Sequence, residues 1–275
     1  MMAPAAVALG FELRVLAEGP DVSAVPAVAY ATVGDYTDLE TLTAFAGGVD
    51  VLTFDHEHVP GEHLRSLAAA GVNVQPSPEA LIHAQDKLVM RAAVDRLGLP
   101  NPHWAAVSGV ADLVDFGKSA GWPVVLKTPR GGYDGKGVRI IDDAEAAAGA
   151  ADWFTGEPLL AEEKVPFTRE LSALVARTPG GRALPWPVVH SIQVDGVCDE
   201  VIAPAQELDP DVASAAQAAA LRIAAELGVT GVMAVELFET PGRGAGFSVE
   251  GPTGMRFLIR SRMLDDQELE YFGLA

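Results

Sequence analysis

A chain of 275 residues, 49% hydrophobic and 21% charged, is long and apolar enough to bury a large core and to divide into two or three lobes, which excludes a disordered polymer. Its formal net charge of −19 argues against nucleic acid or an anionic membrane as a partner, since both select basic surfaces, yet a site for a small anion needs only a few local cations. One cysteine, Cys198, excludes an internal disulfide framework and suits the cytoplasm; no apolar run approaches the ~18 residues of a membrane span, and the first ten residues lack the basic region of a signal peptide.

The N-terminal part alternates short elements. Residues Met2 to Leu9 read as a helix closed by Gly10, Phe11 to Leu16 and Ala29 to Val33 as strands, Asp38 to Ala46 as a helix, and Asp50 to Phe54 as a buried strand. That alternation predicts an α/β lobe built on a parallel sheet. In the run Thr53-Phe-Asp-His-Glu-His-Val-Pro60, His56 and His58 would share one face of a strand. No third ligand is identifiable and the helical His-Glu-x-x-His spacing is absent, so a zinc site is not expected.

Ser77-Pro78 then provides an N-cap with proline at the first helical position, Glu79 lies in the first turn, and Gly98 with Pro100 and Pro102 stops the chain. The spacing predicts one long helix over about 78–97. Within it Lys87 and Arg91 are four residues apart and share a face, so they either point together at one anion or form a solvated basic surface.

Pro123 to Thr128 reads as a strand, Gly131-Gly-Tyr-Asp-Gly-Lys-Gly137 as a flexible turn, and Val138 to Ile141 as a returning strand. Glycines let backbone N–H groups approach an anion closely, and Lys127 and Lys136 add point charges. A Walker A loop is excluded because the spacing is one residue short, Gly137 replaces the Ser/Thr, and a strand follows; a Rossmann turn is excluded because no helix follows. Taken alone, the segment is equally readable as an ordinary glycine-rich hairpin.

Downstream, Ala144 to Ala151 reads as a helix, and Pro158 to Val165, Thr168 to Ala176 and Trp186 to Gln193 as strands, the last followed by a turn at Asp195-Gly196. A capped helix runs from Asp209-Pro210 to Gly228, and Gly231 to Phe238 forms a further strand. There Glu236 shares a face with Val232, Ala234 and Phe238. An ionised carboxylate on a buried face is costly unless paired or metal-bound, so Glu236 is a metal-ligand candidate; on an edge strand it would simply face water.

The order Lys127, glycine-rich hairpin, Glu162-Glu-Lys-Val165, Glu170 and Val-Glu236-Leu-Phe resembles the ATP-grasp family, and within it the 5-(carboxyamino)imidazole ribonucleotide synthases. Thr53–Pro60, Pro76–Glu79, Gln85-Asp-Lys87, Glu162–Phe167, Pro187-Val-Val189 and Ile202-Ala-Pro204 carry the same likeness, over about residues 2 to 241. The resemblance implies a fold of mixed α/β and α+β type: an ATP-grasp domain over 77–250, divided near 165/166, preceded by a truncated Rossmann-like pre-ATP-grasp lobe over 1–76 and followed by a divergent tail, 251–275. It implies ATP and Mg2+ as cofactors and, as reaction, phosphorylation of bicarbonate to carboxyphosphate followed by carboxylation of 5-aminoimidazole ribonucleotide in purine (IMP) biosynthesis, by a cytoplasmic homodimer.

By the same resemblance Lys87 and Lys127 hold phosphates under a flap formed by Gly132, Tyr133, Asp134, Gly135, Lys136, Gly137 and Val138, with Lys136 and Arg91 catalytic. Glu162, Glu163, Lys164 and Val165 form the adenine edge through their backbone, Glu170 accepts from the ribose, and Gln193 stands where the family commonly has His. Glu236 and Glu250 ligate the metal, the latter preceded by Ser248-Val249 where the family has Asn, and Asp55 and Glu57 meet the ribonucleotide. The family's opening strand and Gly-Gly-Gly-Gln-Leu turn are not in the sequence, which predicts a first-lobe sheet open in its middle and a chain of low stability. Nothing in 251–275 aligns with the family. Two alternatives therefore stand beside the synthase: a catalytically impaired relative that retains ATP binding, and an ATP-grasp ligase for another acceptor.

Overall fold

Cap chemistry sets where the helices begin. In the computed structural model, which describes residues 2–131, 137–194, 196–241 and 247–253 (the last by backbone alone), helix α1 spans Met2–Ala8, strands β1 (Arg14–Ala17) and β2 (Tyr30–Val33) pair in parallel, and α2 (Leu39–Ala46) starts where the Asp38 carboxylate accepts from Thr41 N. Helix α3 is Gly61–Ala69. The strand expected over 50–54 is reduced to a single parallel bridge, Leu52 to Val74, made by Leu52 N donating to Asn73 O and Gln75 N to Leu52 O, both at 2.9 Å. The described residues of this lobe thus form no continuous sheet. Its core is Leu42, Ala46, Leu52, Val59, Leu64 and Leu67, against which the helices fold their apolar faces.

The long helix expected over 78–97 is two helices, α4 (Pro78–Gln85) and α5 (Lys87–Arg96). Asp86 separates them. Its backbone is extended, at φ −134° and ψ 111°, and its carboxylate accepts from Leu88 N and Val89 N at 3.0 and 3.2 Å, so it caps α5. A short acidic side chain competes with the backbone of a helix interior and is favoured at an N-cap, which is the physical reason for the break.

Strand β3 (Trp104–Val107) and helix α6 (Val110–Ala120) have no counterpart in the sequence reading; β4 (Val124–Lys127), β5 (Val138–Ile141) and β6 (Leu159–Glu163) do. These strands form an antiparallel sheet of order β3-β6-β4-β5. The helix expected over 144–151 is a tight 3-10 segment, Ala146–Trp153. Behind the sheet, Val107, Leu113, Val124, Leu126, Leu159 and Ala161 share a core. Here α6 lies so close to Trp122 that a Cβ on Gly117 would stand 2.2 to 2.5 Å from the indole ring. Gly117→Ala therefore forces the ring aside, and we expect a loss of about 1–3 kcal/mol, read from the urea midpoint.

The second sheet contains β7 (Arg169–Arg177), β8 (Ala183–Pro185), β9 (Val189–Val194), β10 (Val197–Ile202), β11 (Gly231–Glu239) and β12 (Phe247–Thr253), with α7 (Pro210–Glu226) before β11. Its order is β10-β9-β7-β11-β12, with β8 beside β7. Helix α7 starts at the cap Asp209 and gives way to Gly228 at φ +64°, a left-handed geometry that favours glycine. Period-two alternation turns Leu171, Ala173 and Val175 of β7 and Met233, Val235 and Leu237 of β11 to one dry core that includes Ala216, Ala220 and Ile223 of α7. Met90 and Val94 join that core, so α5 packs with the second sheet. Among the described residues no helix is long and apolar enough to cross a membrane.

Candidate nucleotide and metal site

The face of the second sheet opposite the dry core carries polar side chains among apolar ones. Strand β11 is central, flanked by β7 and β12, so the edge-strand alternative for Glu236 is set aside. Glu236 lies opposite Ser172 and Phe238 opposite Glu170, which puts Glu170, Ser172 and Glu236 on one face. Ser191 faces Glu170 across β9, its hydroxyl 2.9 Å from that of Ser172, and Gln193 follows two residues on, opposite Cys198 of β10. Burial, then the charges of Glu236, Glu170 and Asp199, push the Cys198 thiol up, as expected of a thiol beside these carboxylates. Beyond β11, the ladder steps from Glu236–Gly251 to Leu237–Val249, leaving Glu250 as the extra residue of a bulge beside Glu236. Bulges recur where a strand must re-aim a residue at a site. The Phe238 ring on this face stacks on Phe167 at 4.3 Å between centroids, fixing the segment that leaves β6.

On the first sheet, Lys127 and Glu162 are diagonal neighbours on adjacent strands, and Lys127 Nζ donates to Glu162 Oε2 at 2.8 Å. Arg91 of α5 donates through Nε to the other oxygen, Oε1, and through Nη1 to Asn101 Oδ1 at 2.9 Å. The three are buried, with 0% exposure for Arg91, 3% for Glu162 and 8% for Lys127. Burial alone would raise the Glu162 carboxyl, but the charges of Lys127 and Arg91, with their hydrogen bonds, hold it below the ordinary carboxylate range.

This arrangement corrects two readings of the sequence. Arg91 does not share an exposed face with Lys87: Arg91 is enclosed, whereas Lys87 opens α5 and donates from Nζ to Gly131 O at 3.0 Å. Arg91 has no exposed surface, so it is not a solvated residue. Both belong to α5, Lys87 as its first residue and Arg91 one turn further on. Second, the backbone of Glu162 is engaged in the sheet, opposite Trp104 on one side and Val125 on the other, and Glu163 N donates to His103 O at 2.9 Å. The stretch beyond the ladder is Lys164–Val165.

Other contacts were not foreseen. Asp86 accepts from Arg130 Nε at 3.0 Å while Lys87 N donates to Pro129 O at 2.9 Å, so the start of α5 grips the entrance to the glycine run. Asp86 directly precedes Lys87, and its preference for caps was the available signal. Gly137 is tied by Thr128 N donating to its carbonyl at 3.0 Å, and Val138 opens β5. Gly132, Tyr133, Asp134, Gly135 and Lys136 lie outside the described residues, as do Asp195, 254–275 and the side chain of Glu250.

In the first lobe, residues 53–60 form turns rather than a strand, and His56 and His58 tilt against each other at 5.0 Å with Tyr36 edge-on to His56 at 4.9 Å. Asp55 is exposed and Glu57 half-buried. Gln85 Nε2 donates to the carbonyls of Glu57 and Val59 at 2.8 and 2.9 Å, tethering this turn just before the Asp86–Lys87 helix start.

Comparison with known proteins fits this layout. The ATP-grasp domain family model matches residues 92–245, and the ribonucleotide synthetase preATP-grasp domain model matches residues 1–85. A crystal structure of N5-carboxyaminoimidazole ribonucleotide synthetase from Thermus thermophilus superposes with a TM-score of 0.83 at 30% identity, over 92% of this chain and 68% of that one. The chain belongs to the N5-carboxyaminoimidazole ribonucleotide synthase family of ATP-grasp proteins. The synthase of Mycobacterium leprae (strain TN) is 52% identical over 245 residues, 86% of this chain and 56% of that protein. A structure of the synthase from Aspergillus clavatus, complexed with ATP, superposes with a TM-score of 0.83 at 26% identity, over 92% of this chain and 66% of that one. The chain thus spans little more than half the length of the curated relatives it matches. Its fold is the ATP-grasp domain with the preATP-grasp lobe before it, as the motifs implied.

Proposed function

We propose that the protein carboxylates 5-aminoimidazole ribonucleotide with ATP and bicarbonate, in purine biosynthesis. The observation that carries this reading is the pair of carboxylates, Glu170 and Glu236, on the same face of adjacent strands, opposite the face that forms the dry core. A carboxylate accepts from ribose hydroxyls and is a hard oxygen donor for a divalent cation, so the two suit the ribose and metal of a bound nucleotide.

In this reading Lys127 and Lys87 neutralise phosphate oxygens, assisted by Lys136 from the glycine run. The backbone beyond the ladder, at Lys164–Val165, receives adenine, Glu170 accepts from the ribose hydroxyls, and Gln193 donates or accepts nearby. Glu236 and Glu250 are hard oxygen donors on neighbouring strands, a donor set that fits magnesium, which uses one or two carboxylates together with substrate phosphates. When bound, the metal supplies charge neutralisation at the transferring phosphoryl group.

The chemistry has two steps. A bicarbonate oxygen attacks the γ-phosphorus and the bond to ADP breaks, giving carboxyphosphate. The exocyclic amine then attacks the carboxyl carbon, the bond to phosphate breaks and the amine proton leaves. Water must be excluded meanwhile because carboxyphosphate is labile. Asp55 and Glu57, on the turn tethered by Gln85, orient the ribonucleotide. We further propose a cytoplasmic homodimer; a single cysteine suits that compartment and sedimentation measures the assembly.

The test is phosphate release from magnesium-ATP with bicarbonate, with and without 5-aminoimidazole ribonucleotide. Release that requires the ribonucleotide is the expected result. Absence of release while ATP still raises the melting temperature would assign the chain to the nucleotide-binding but inactive alternative, and release with a different acceptor amine to the other.

A further inference from the structure

Residues 53–60 form turns rather than a strand, so no ladder supplies donors to their carbonyls. The Gln85 amide supplies two: Nε2 donates to Glu57 O at 2.8 Å and to Val59 O at 2.9 Å. Both partners are acceptors, so only the NH2 end of the amide can face them, and both of its hydrogens are used. Val59 packs in the first-lobe core, and His58 N donates to His56 Nδ1 at 3.2 Å, closing the turn on itself. Gln85 ends α4, and the next two residues hold a different segment. Asp86 accepts from Arg130 Nε at 3.0 Å, and Lys87 N donates to Pro129 O at 2.9 Å. Three consecutive residues therefore grip, in order, the turn that bears Glu57 and the entrance to the glycine run. Residues two apart in a chain have Cα atoms at most about 7 Å apart, so neither grip shifts far without the other.

We propose that Gln85 is a positioning residue for the ribonucleotide: its amide sets where the 57–59 turn, and with it Glu57, stands relative to the phosphate end of the nucleotide. The proposed reaction makes this register matter. Carboxyphosphate is labile to water, so the acceptor amine has to wait within reach of the place where it forms, and a displacement of about an ångström already costs rate. Gln85 donates to main-chain carbonyls, so it fixes the path of the backbone whatever the side chains of the turn contact. The inference rests on the reading that Asp55 and Glu57 meet the ribonucleotide.

The experiment measures the affinities of 5-aminoimidazole ribonucleotide and of magnesium-ATP separately by calorimetry, for the unaltered protein, Gln85→Met, Gln85→Glu and Gln85→Asn, each checked for a cooperative melt. Gln85→Met keeps the length and helix propensity but donates nothing, and should weaken the ribonucleotide about tenfold, the loss of two neutral hydrogen bonds, with ATP within about twofold. Gln85→Glu, which sets a carboxylate against two carbonyl oxygens, should lose at least as much. Gln85→Asn keeps the amide but one methylene short; it should weaken the ribonucleotide about two- to threefold with ATP unchanged, and it decides the matter if the other two do not fold. A role in stability alone would lower the melting temperature and the fraction of competent sites while leaving both dissociation constants where they were. That result, or an equal loss for both ligands, overturns the inference. If the unaltered protein binds ATP but not the ribonucleotide, the reading of the first-lobe turn fails and the inference falls with it; if it binds both and the folded variants match it, that reading stands and the inference alone falls.

Discussion

Replacing Lys127 with methionine is expected to lower ribonucleotide-dependent phosphate release by about 100- to 1,000-fold, the range for removing one preorganised charged group from a transferring centre. The fold should survive. Glu162, which accepts from Lys127 Nζ at 2.8 Å, keeps Arg91 on its other oxygen, so the buried carboxylate remains compensated by one full charge. Methionine also fills the space of the lysine stem against the neighbouring strands. A steady-state assay combined with a urea melt checks both halves: the rate falls and the midpoint moves little. A large fall in midpoint with a proportionate loss of active protein would make Lys127 a structural lysine instead.

Glu162→Gln should behave in the opposite way, as a stability variant first. It leaves Arg91, with 0% exposure, and Lys127, with 8%, facing a neutral amide. Breaking a buried pair by removing one partner costs about 3–5 kcal/mol, a large part of a typical margin of about 5–15 kcal/mol. The pH dependence gives a second handle. The native Glu162 carboxyl is held low by Lys127 and Arg91 despite burial, so its stabilising contribution is complete above the ordinary carboxylate range and disappears as pH falls through the lowered native value. The variant has no such carboxyl to protonate. The stability gap between the two proteins is therefore widest near neutrality and narrows in acid, which urea melts from neutral to acid pH would reveal; a gap independent of pH would mean that Glu162 acts by packing alone.

These two residues also mark the boundary of what could be read from the chain. Cap and turn chemistry is local, and so Ser77, Asp38 and Asp209 announced their helices, and the glycine run announced a hairpin between β4 and β5. Strand alternation is local as well, which is why Glu236 was found on the face that carries Glu170 and Ser172. The four-residue strand β3 was too short to show a period, and the break at Asp86 was hidden by apolar periodicity on both sides of it.

By itself, the sequence determined the family and the ATP-grasp architecture with its preATP-grasp lobe, because motif spacing and local periodicity are properties of neighbouring residues. Only the tertiary structure decided what covers each side chain. The spacing of Lys87 and Arg91 was right for one helix face, yet a short helix presents different positions to solvent and to a sheet, and Arg91 went inside. Glu162 looked like a stretch of backbone for a base, and its carboxylate became the centre of a buried ion cluster because β6 sits between β3 and β4 while α5 lies against it. Burial and charge pairing arise from contacts between residues as far apart as 91 and 162, and no local pattern in the chain encodes them.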